Sequence, residues 1–87
     1  MRVVQTRGVL AAAADDELLL IREDPSGCFV LRGSGVSIWE AAREPVCVAD
    51  LCERLLQLYA VDRATCEAQV LGAVEALLDQ GLFEHAP

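Results

Sequence analysis

Apolar and polar positions along the 87-residue chain change period near Gly33, from short strand-like runs before it to helical spacing after it. Val3-Val4 and Val9-Leu10-Ala11 predict a first strand, its start blurred by the interleaved Arg2, Gln5, Thr6 and Arg7. Asp15-Asp16 reads as a hairpin turn, and Glu17 to Glu23 as a second strand. Leu18-Leu19-Leu20 alone could open a helix, but the short run and the turn signals on both sides favour a strand. Asp24-Pro25-Ser26-Gly27 has the residue preferences of a type I turn, so a third strand, Cys28-Phe29-Val30-Leu31, returns antiparallel to the second. Such a meander leaves its third strand at an edge unless the C-terminus comes back to cover it, and this edge carries neither Pro nor Lys to discourage another chain.

Beyond the third strand, Gly33 and Gly35 permit a sharp change of direction, and Ser34 is placed to cap a first helix. Val36, Trp39 and Ala42 recur at helical spacing before Glu44-Pro45 ends it, with Trp39 as core anchor. Val48, Leu51, Cys52, Leu55, Leu58 and Tyr59 predict a second helix to about Ala60, opposite a wet face of Asp50, Glu53, Arg54 and Gln57. Its cap position holds Cys47, whose thiol is a weak acceptor. Asp62 is a stronger cap for a third helix, Arg63 to Gln80, which Gly81 ends in a left-handed turn. On that third helix Ala73, Cys66, Leu77, Val70, Val74, Leu78 and Leu71 spread over about 160°, wider than the roughly 100° stripe of a single core contact, with Glu67 interrupting them. One edge of the arc is expected to pack inward and the other to stay available beside the sheet. The sequence therefore predicts one α+β domain over residues 1–87, winged-helix-like, a three-stranded antiparallel sheet followed by three helices.

Composition narrows the function. Seven Arg, no Lys and fourteen acidic residues give a net charge of −7, a surface that repels polyphosphate, so neither nucleic acid nor anionic membrane is an expected partner. No apolar run approaches the roughly 20 residues of a membrane span, and MRVVQTRG lacks a signal-peptide core, which predicts a cytoplasmic protein. In that compartment Cys28, Cys47, Cys52 and Cys66 are expected as small buried hydrophobes rather than disulfides, and their spacing does not suit a metal site. No catalytic residue is expected either: the one histidine, His85, falls in a tail expected to fray, and no Ser or Cys has an evident base nearby. Gly33-Ser34-Gly35 lacks the length and the Lys of a phosphate loop, and no cofactor is implied.

The stretch GCFVLRGSGVSIWEAAR, followed by VADLCERLLQLYAVD and a closing helix ending in LLDQGLF, resembles the PqqD-like family, the precursor-recognition domains (RiPP recognition elements) of peptide natural-product pathways. In that family the corner runs tyrosine, tyrosine, any residue, leucine, asparagine, proline, threonine, glycine, then a stretch ending isoleucine, tryptophan, glutamate. Leu31, Gly35, Ile38, Trp39 and Glu40 match, while Arg32, Gly33 and Ser34 replace the asparagine, proline and threonine. The resemblance implies a standalone binding module, not an enzyme. Its expected partner is the leader segment of a precursor peptide, presented to a biosynthetic enzyme such as a leader peptidase, a cyclase or a radical enzyme, in a pyrroloquinoline quinone, lasso-peptide or related pathway. It also implies the mode: the leader adds as a strand beside Cys28, Phe29, Val30, Leu31 and Arg32 and drops apolar side chains toward the third helix. The helix contributes Cys66, Glu67, Gln69, Val70, Ala73, Val74 and Leu77, with Glu67 at the rim. Two other readings remain: a winged-helix DNA-binding regulator, disfavoured by acidic residues on the third helix, and a structural homodimerisation domain using the same edge.

Overall fold

The computed structural model of the chain describes residues 1–22 and 27–87, so the predicted Asp24-Pro25-Ser26-Gly27 turn lies largely outside the described residues. Strands β1 (Arg2–Gln5), β2 (Leu10–Ala14), β3 (Glu17–Ile21) and β4 (Cys28–Arg32) lead into helix α1 (Ser34–Ala41). A short β5 (Val46–Cys47), helices α2 (Val48–Leu58) and α3 (Arg63–Asp79), and a closing β6 (Phe83–His85) complete the fold.

The architecture is α+β with antiparallel strands and three helices, but the predicted single sheet is in fact two. One has the order β2-β3-β4 and the other β5-β1-β6. The expected first strand joined segments of both: a turn at Arg7-Gly8, with Gly8 at φ 82, sends Val3-Val4 into one sheet and Leu10-Ala11 into the other. The C-terminus is likewise ordered rather than frayed. Val3 faces His85 and Gln5 faces Phe83 across β1 and β6, so His85 lies within a strand.

Alternation along β3 and β4 directs Leu18, Leu20 and Leu31 into the core, where they meet Ile38, Trp39, Leu51, Leu55, Val70, Val74, Leu77 and Phe83. Trp39 anchors this core as its size suggests, stacking on Phe83 with ring centroids 5.7 Å apart. The second sheet is tied to the helices by backbone groups. The Gln5 N–H donates to the Ala42 carbonyl at 2.8 Å, the Gln5 side-chain amide donates to the Trp39 carbonyl at 2.7 Å, and the Thr6 N–H donates to the Leu82 carbonyl at 2.9 Å. The first satisfies the Ala42 carbonyl at the end of α1, and the second adds to the Trp39 carbonyl, which also accepts from the Ala42 N–H.

The helix ends divide by the chemistry of their caps. Asp62 accepts from the Thr65 N–H and hydroxyl, and α3 closes with the Gly81 N–H donating to Leu78 and the Leu82 N–H to Leu77, the paired bonds of a Schellman motif around Gly81 at φ 72. Cys47 precedes α2 without a side-chain capping bond, as a thiol's weak acceptor strength suggests, and α2 stops at Leu58, two residues before the predicted Ala60. Ser34 is not a cap: it is the first helical residue of α1, and Gly33 occupies the cap position. The cysteines also divide. Cys52 and Cys66 are buried, but Cys28 is exposed on β4 and Cys47 only half-buried.

Candidate functional site

The register of the β2-β3-β4 sheet fixes which backbone groups face outward. Ala14 and Glu17 close a two-residue hairpin loop and therefore form a hydrogen-bonded pair. Counting along β3, Glu17, Leu19 and Ile21 turn their N–H and C=O groups to β2, while Leu18 and Leu20 turn theirs to β4, bonding Leu31 and Phe29. Cys28, Val30 and Arg32 then present their backbone donors and acceptors to the open side of β4, whose only strand partner among the described residues is β3. The same alternation places the Phe29 and Leu31 side chains inward, half-buried and buried, and leaves Cys28, Val30 and Arg32 exposed. An ion pair between Arg32 and Glu17 spans the two strands at one end of this register.

Two hollows set the ends of helix α3 near the start of β4 and near Ser34 just past its end, and the space between them is the seam between helix and strand. One, of about 230 Å³, is lined by Gly27, Cys28 and Phe29 from the start of β4 and by Asp79 and Gln80 from the end of the helix. The other, of about 180 Å³, is lined by Ser34 just past β4, Tyr59, Val61, and Cys66 and Gln69 near the helix start. The strand and helix thus run antiparallel. The side of α3 that faces this seam carries Gln69, Ala73, Ala76 and Gln80, at the i, i+4, i+7, i+11 spacing of one helix face. These four residues are uncharged, with Asp79 at the edge of the hollow by the helix end, and Gly72 beside them has open space where a Cβ would project.

The helix residues expected at the site separate into three groups. Gln69 and Ala73 flank the seam, exposed and half-buried respectively. Cys66, Val70, Val74 and Leu77 are at most 1% exposed and belong to the core, so they support the seam from beneath rather than line it openly. Glu67 lies on the opposite side of the helix, in a hollow with Val48, Ala49, Cys52, Glu53 and Arg63 against α2, and not at the rim beside β4. The apolar arc is wide because α2 and the sheet share it. Sequence reasoning missed Gly72, Ala76 and Gln80; a run of small or uncharged residues at helical spacing was the available signal.

Electrostatics elsewhere is structural. Burial first, then the neighbouring Cys66 thiol and the Glu67 carboxylate, push the Cys52 thiol above its ordinary range, which keeps it protonated and unreactive at neutral pH. Cys66 donates to the Cys52 carbonyl at 3.7 Å, a contact between α2 and α3 within the core. Larger hollows lie between α1 and α2, rimmed by Glu40, Arg43 and Arg54, away from β4. Among the described residues no helix is long and apolar enough to cross a membrane.

A strand with one open edge, continued through a glycine corner into a tryptophan-bearing helix and flanked by a closing helix, is the arrangement over which the family described as coenzyme PQQ synthesis protein D (PqqD) matches, at residues 17–82. The chain belongs to the PqqD family. Among solved structures, TbiB1 in complex with the TbiA(beta) leader peptide is similar over 97% of this chain and 98% of its own, with a TM-score of 0.85 at 26% identity. The solution NMR structure of the PqqD truncation of Methylobacterium extorquens PqqCD, described as a functional and stand-alone RiPP recognition element, shares the fold. It has a TM-score of 0.78 at 22% identity, over 97% of this chain and 89% of that one. No curated protein matches the chain.

Proposed function

We propose that this PqqD-family chain binds the leader segment of a ribosomally synthesised precursor peptide by strand addition at β4 and presents it to the enzymes that modify the precursor or cleave its leader. The observation that carries the reading is the outward backbone of Cys28, Val30 and Arg32 beside the uncharged α3 flank of Gln69, Ala73, Ala76 and Gln80. The edge supplies main-chain hydrogen bonds in either direction along a peptide. The small flank gives room for alternate, apolar leader side chains, which is where selectivity would arise. Likeness to TbiB1, solved with a leader peptide, supports the same use of the fold. The chain acts by recognition rather than catalysis, its partner enzymes are those of the pathway, and its place is the cytoplasm. The β2–β3 hairpin and three helices are read as winged-helix-like.

Val30→Pro tests the mode directly. The Val30 N–H points to the open edge, so proline there removes a donor that a leader would use while sparing the Phe29 and Leu31 bonds to β3. Titrating a fluorescently labelled leader of the pathway's precursor into folded Val30→Pro should show affinity at least about tenfold weaker, roughly 1.4 kcal/mol. Ala73→Phe, which fills the seam from the helix side, should weaken binding by on the order of 1–3 kcal/mol. Ala76→Phe, at an exposed position on the same flank, repeats that block with little risk to the core. Undiminished affinity in all three folded variants would rule out this edge.

A further inference from the structure

The sheet has a second open edge, and its sequence fits itself. Among the described residues strand β2 pairs only with β3, and all five residues of Leu10-Ala-Ala-Ala-Ala14 are exposed, including Ala11 and Ala13 on the face that elsewhere covers the core. By the register already derived, Leu10, Ala12 and Ala14 bond to β3, so Ala11 and Ala13 hold their N–H and C=O groups toward solvent. The strand contains no charge and no proline, the usual guards of a free edge. Leu10, 66% exposed, continues an apolar outer face through its neighbour Ile21, 37% exposed, to Val30, 46% exposed.

We propose that this edge is the contact between two copies of the chain, their β2 strands pairing antiparallel about a two-fold axis at Ala12. In that register Ala11 of each copy exchanges both hydrogen bonds with Ala13 of the other, the only centring that uses all four outward residues at once. Alanine suits it, since two side chains that meet at the axis must be small. The pairing also brings the Arg7-Gly8 turn of each copy against the Asp15-Asp16 turn of the other, setting Arg7 beside two carboxylates twice over. Opposite charge at both ends of an uncharged strand selects a second copy in antiparallel sense over a parallel one, where Arg7 would meet Arg7. The helices of both copies lie on one side of the six-stranded sheet. Three strand spacings, about 14 Å, separate β3 from its mate, and the uncovered inner faces of the two β2 strands lie between them. Both β4 edges remain at the outer ends, so the contact neither needs nor blocks the peptide-binding reading above. The strand contact is small, which makes a weak, concentration-dependent dimer the expected species.

Sedimentation velocity of the full chain between about 10 µM and 1 mM should show a monomer converting to a dimer and nothing larger. Arg7→Glu should weaken association roughly five- to tenfold, and adding Asp16→Arg to it should restore most of the loss. In a Cys28→Ser background, Ala12→Cys should cross-link under mild oxidation into a covalent dimer faster than Leu10→Cys, because only position 12 meets its own copy at the axis. A strictly monomeric protein at about 1 mM, or equal cross-linking of the two cysteine variants, overturns the proposal. So does association that grows beyond a dimer and is abolished by Val30→Pro, which would instead indicate head-to-tail pairing of β2 with β4.

Discussion

Gly33 turns the chain from β4 into α1 at φ 55 and ψ −127, a backbone region that any Cβ makes costly. A Cβ there would meet no atom within 4 Å, so the whole penalty of a substitution is conformational, not steric crowding by neighbours. Gly33→Ala should therefore destabilise by about 1–3 kcal/mol. Gly33→Pro restores the residue of the family's usual corner and should be worse, because the ring holds φ near −65° and the turn would have to be rebuilt. Urea denaturation of the two variants checks the order; a proline variant as stable as the parent would mean that this corner readily adopts the family's other backbone. The substitution was visible in the sequence as glycine in place of proline. Its consequence for the cap was not: with Gly33 taking the cap position, Ser34 moves one place into the helix and its hydroxyl loses the capping role.

The elements legible in advance are those with their own punctuation. Helix α3 was bounded to within a residue because Asp62 and Gly81 each supply a local reason to start and stop. Strands β3 and β4 were recognisable by their runs of four apolar residues, Leu18 to Ile21 and Cys28 to Leu31, between turn signals. Strands β1, β5 and β6 are four, two and three residues long, and what makes them strands is their pairing with each other across the whole length of the chain, which local pattern does not carry. Strand β2 was legible only in part: the pattern marks Leu10-Ala11 as strand but merges it with β1, and the alanines that follow, good helix formers by propensity, extend it to Ala14 through their register with β3. The site was half legible: the β4 edge followed from the meander, but the face of α3 turned toward it did not, because an arc of 160° has two sides and only contacts distinguish them.

At the same scale, the Asp62 cap links α3 to pH. Hydrogen bonds from Thr65, side chain before backbone, hold the Asp62 carboxyl below its ordinary value. A carboxyl with a depressed folded pKa contributes stability that is present above its unfolded pKa, near 3.9, and is lost as the pH falls through the lower folded value. Asp62→Ala should lower the Tm at pH 7, whereas Asp62→Asn, which keeps the acceptor, should recover most of the loss. The gap between Asp62→Asn and the parent should close as melts are taken from pH 5 downward through the titration. A gap that stays constant to the lowest pH would show that the carboxylate's charge adds nothing to the cap.

For the molecule as a whole, the fold and the charge point to different partners, and charge decides between them. Three helices with a projecting hairpin also serve in DNA-binding proteins, where one helix enters a groove and its flanks meet phosphates. Here the longest helix, α3, carries Glu67, Glu75 and Asp79 against Arg63 alone, and Arg63 donates to Glu53 at 2.7 Å. The chain's net charge of −7 would place it in a repulsive field before any groove contact formed. Binding to a duplex draws its affinity largely from counterions released by cationic side chains, and this surface offers almost none to exchange. A peptide strand needs no such charge, since under the proposed mode its hydrogen bonds would come from the exposed backbone of β4. The expectation is no gel shift with duplex DNA at physiological salt, at protein concentrations where a labelled leader is already bound. Lowering the salt should not rescue it, because weaker screening strengthens the repulsion as well. A sequence-specific shift that weakens steeply with added salt would favour the regulator reading and remove the case for β4 as a peptide edge.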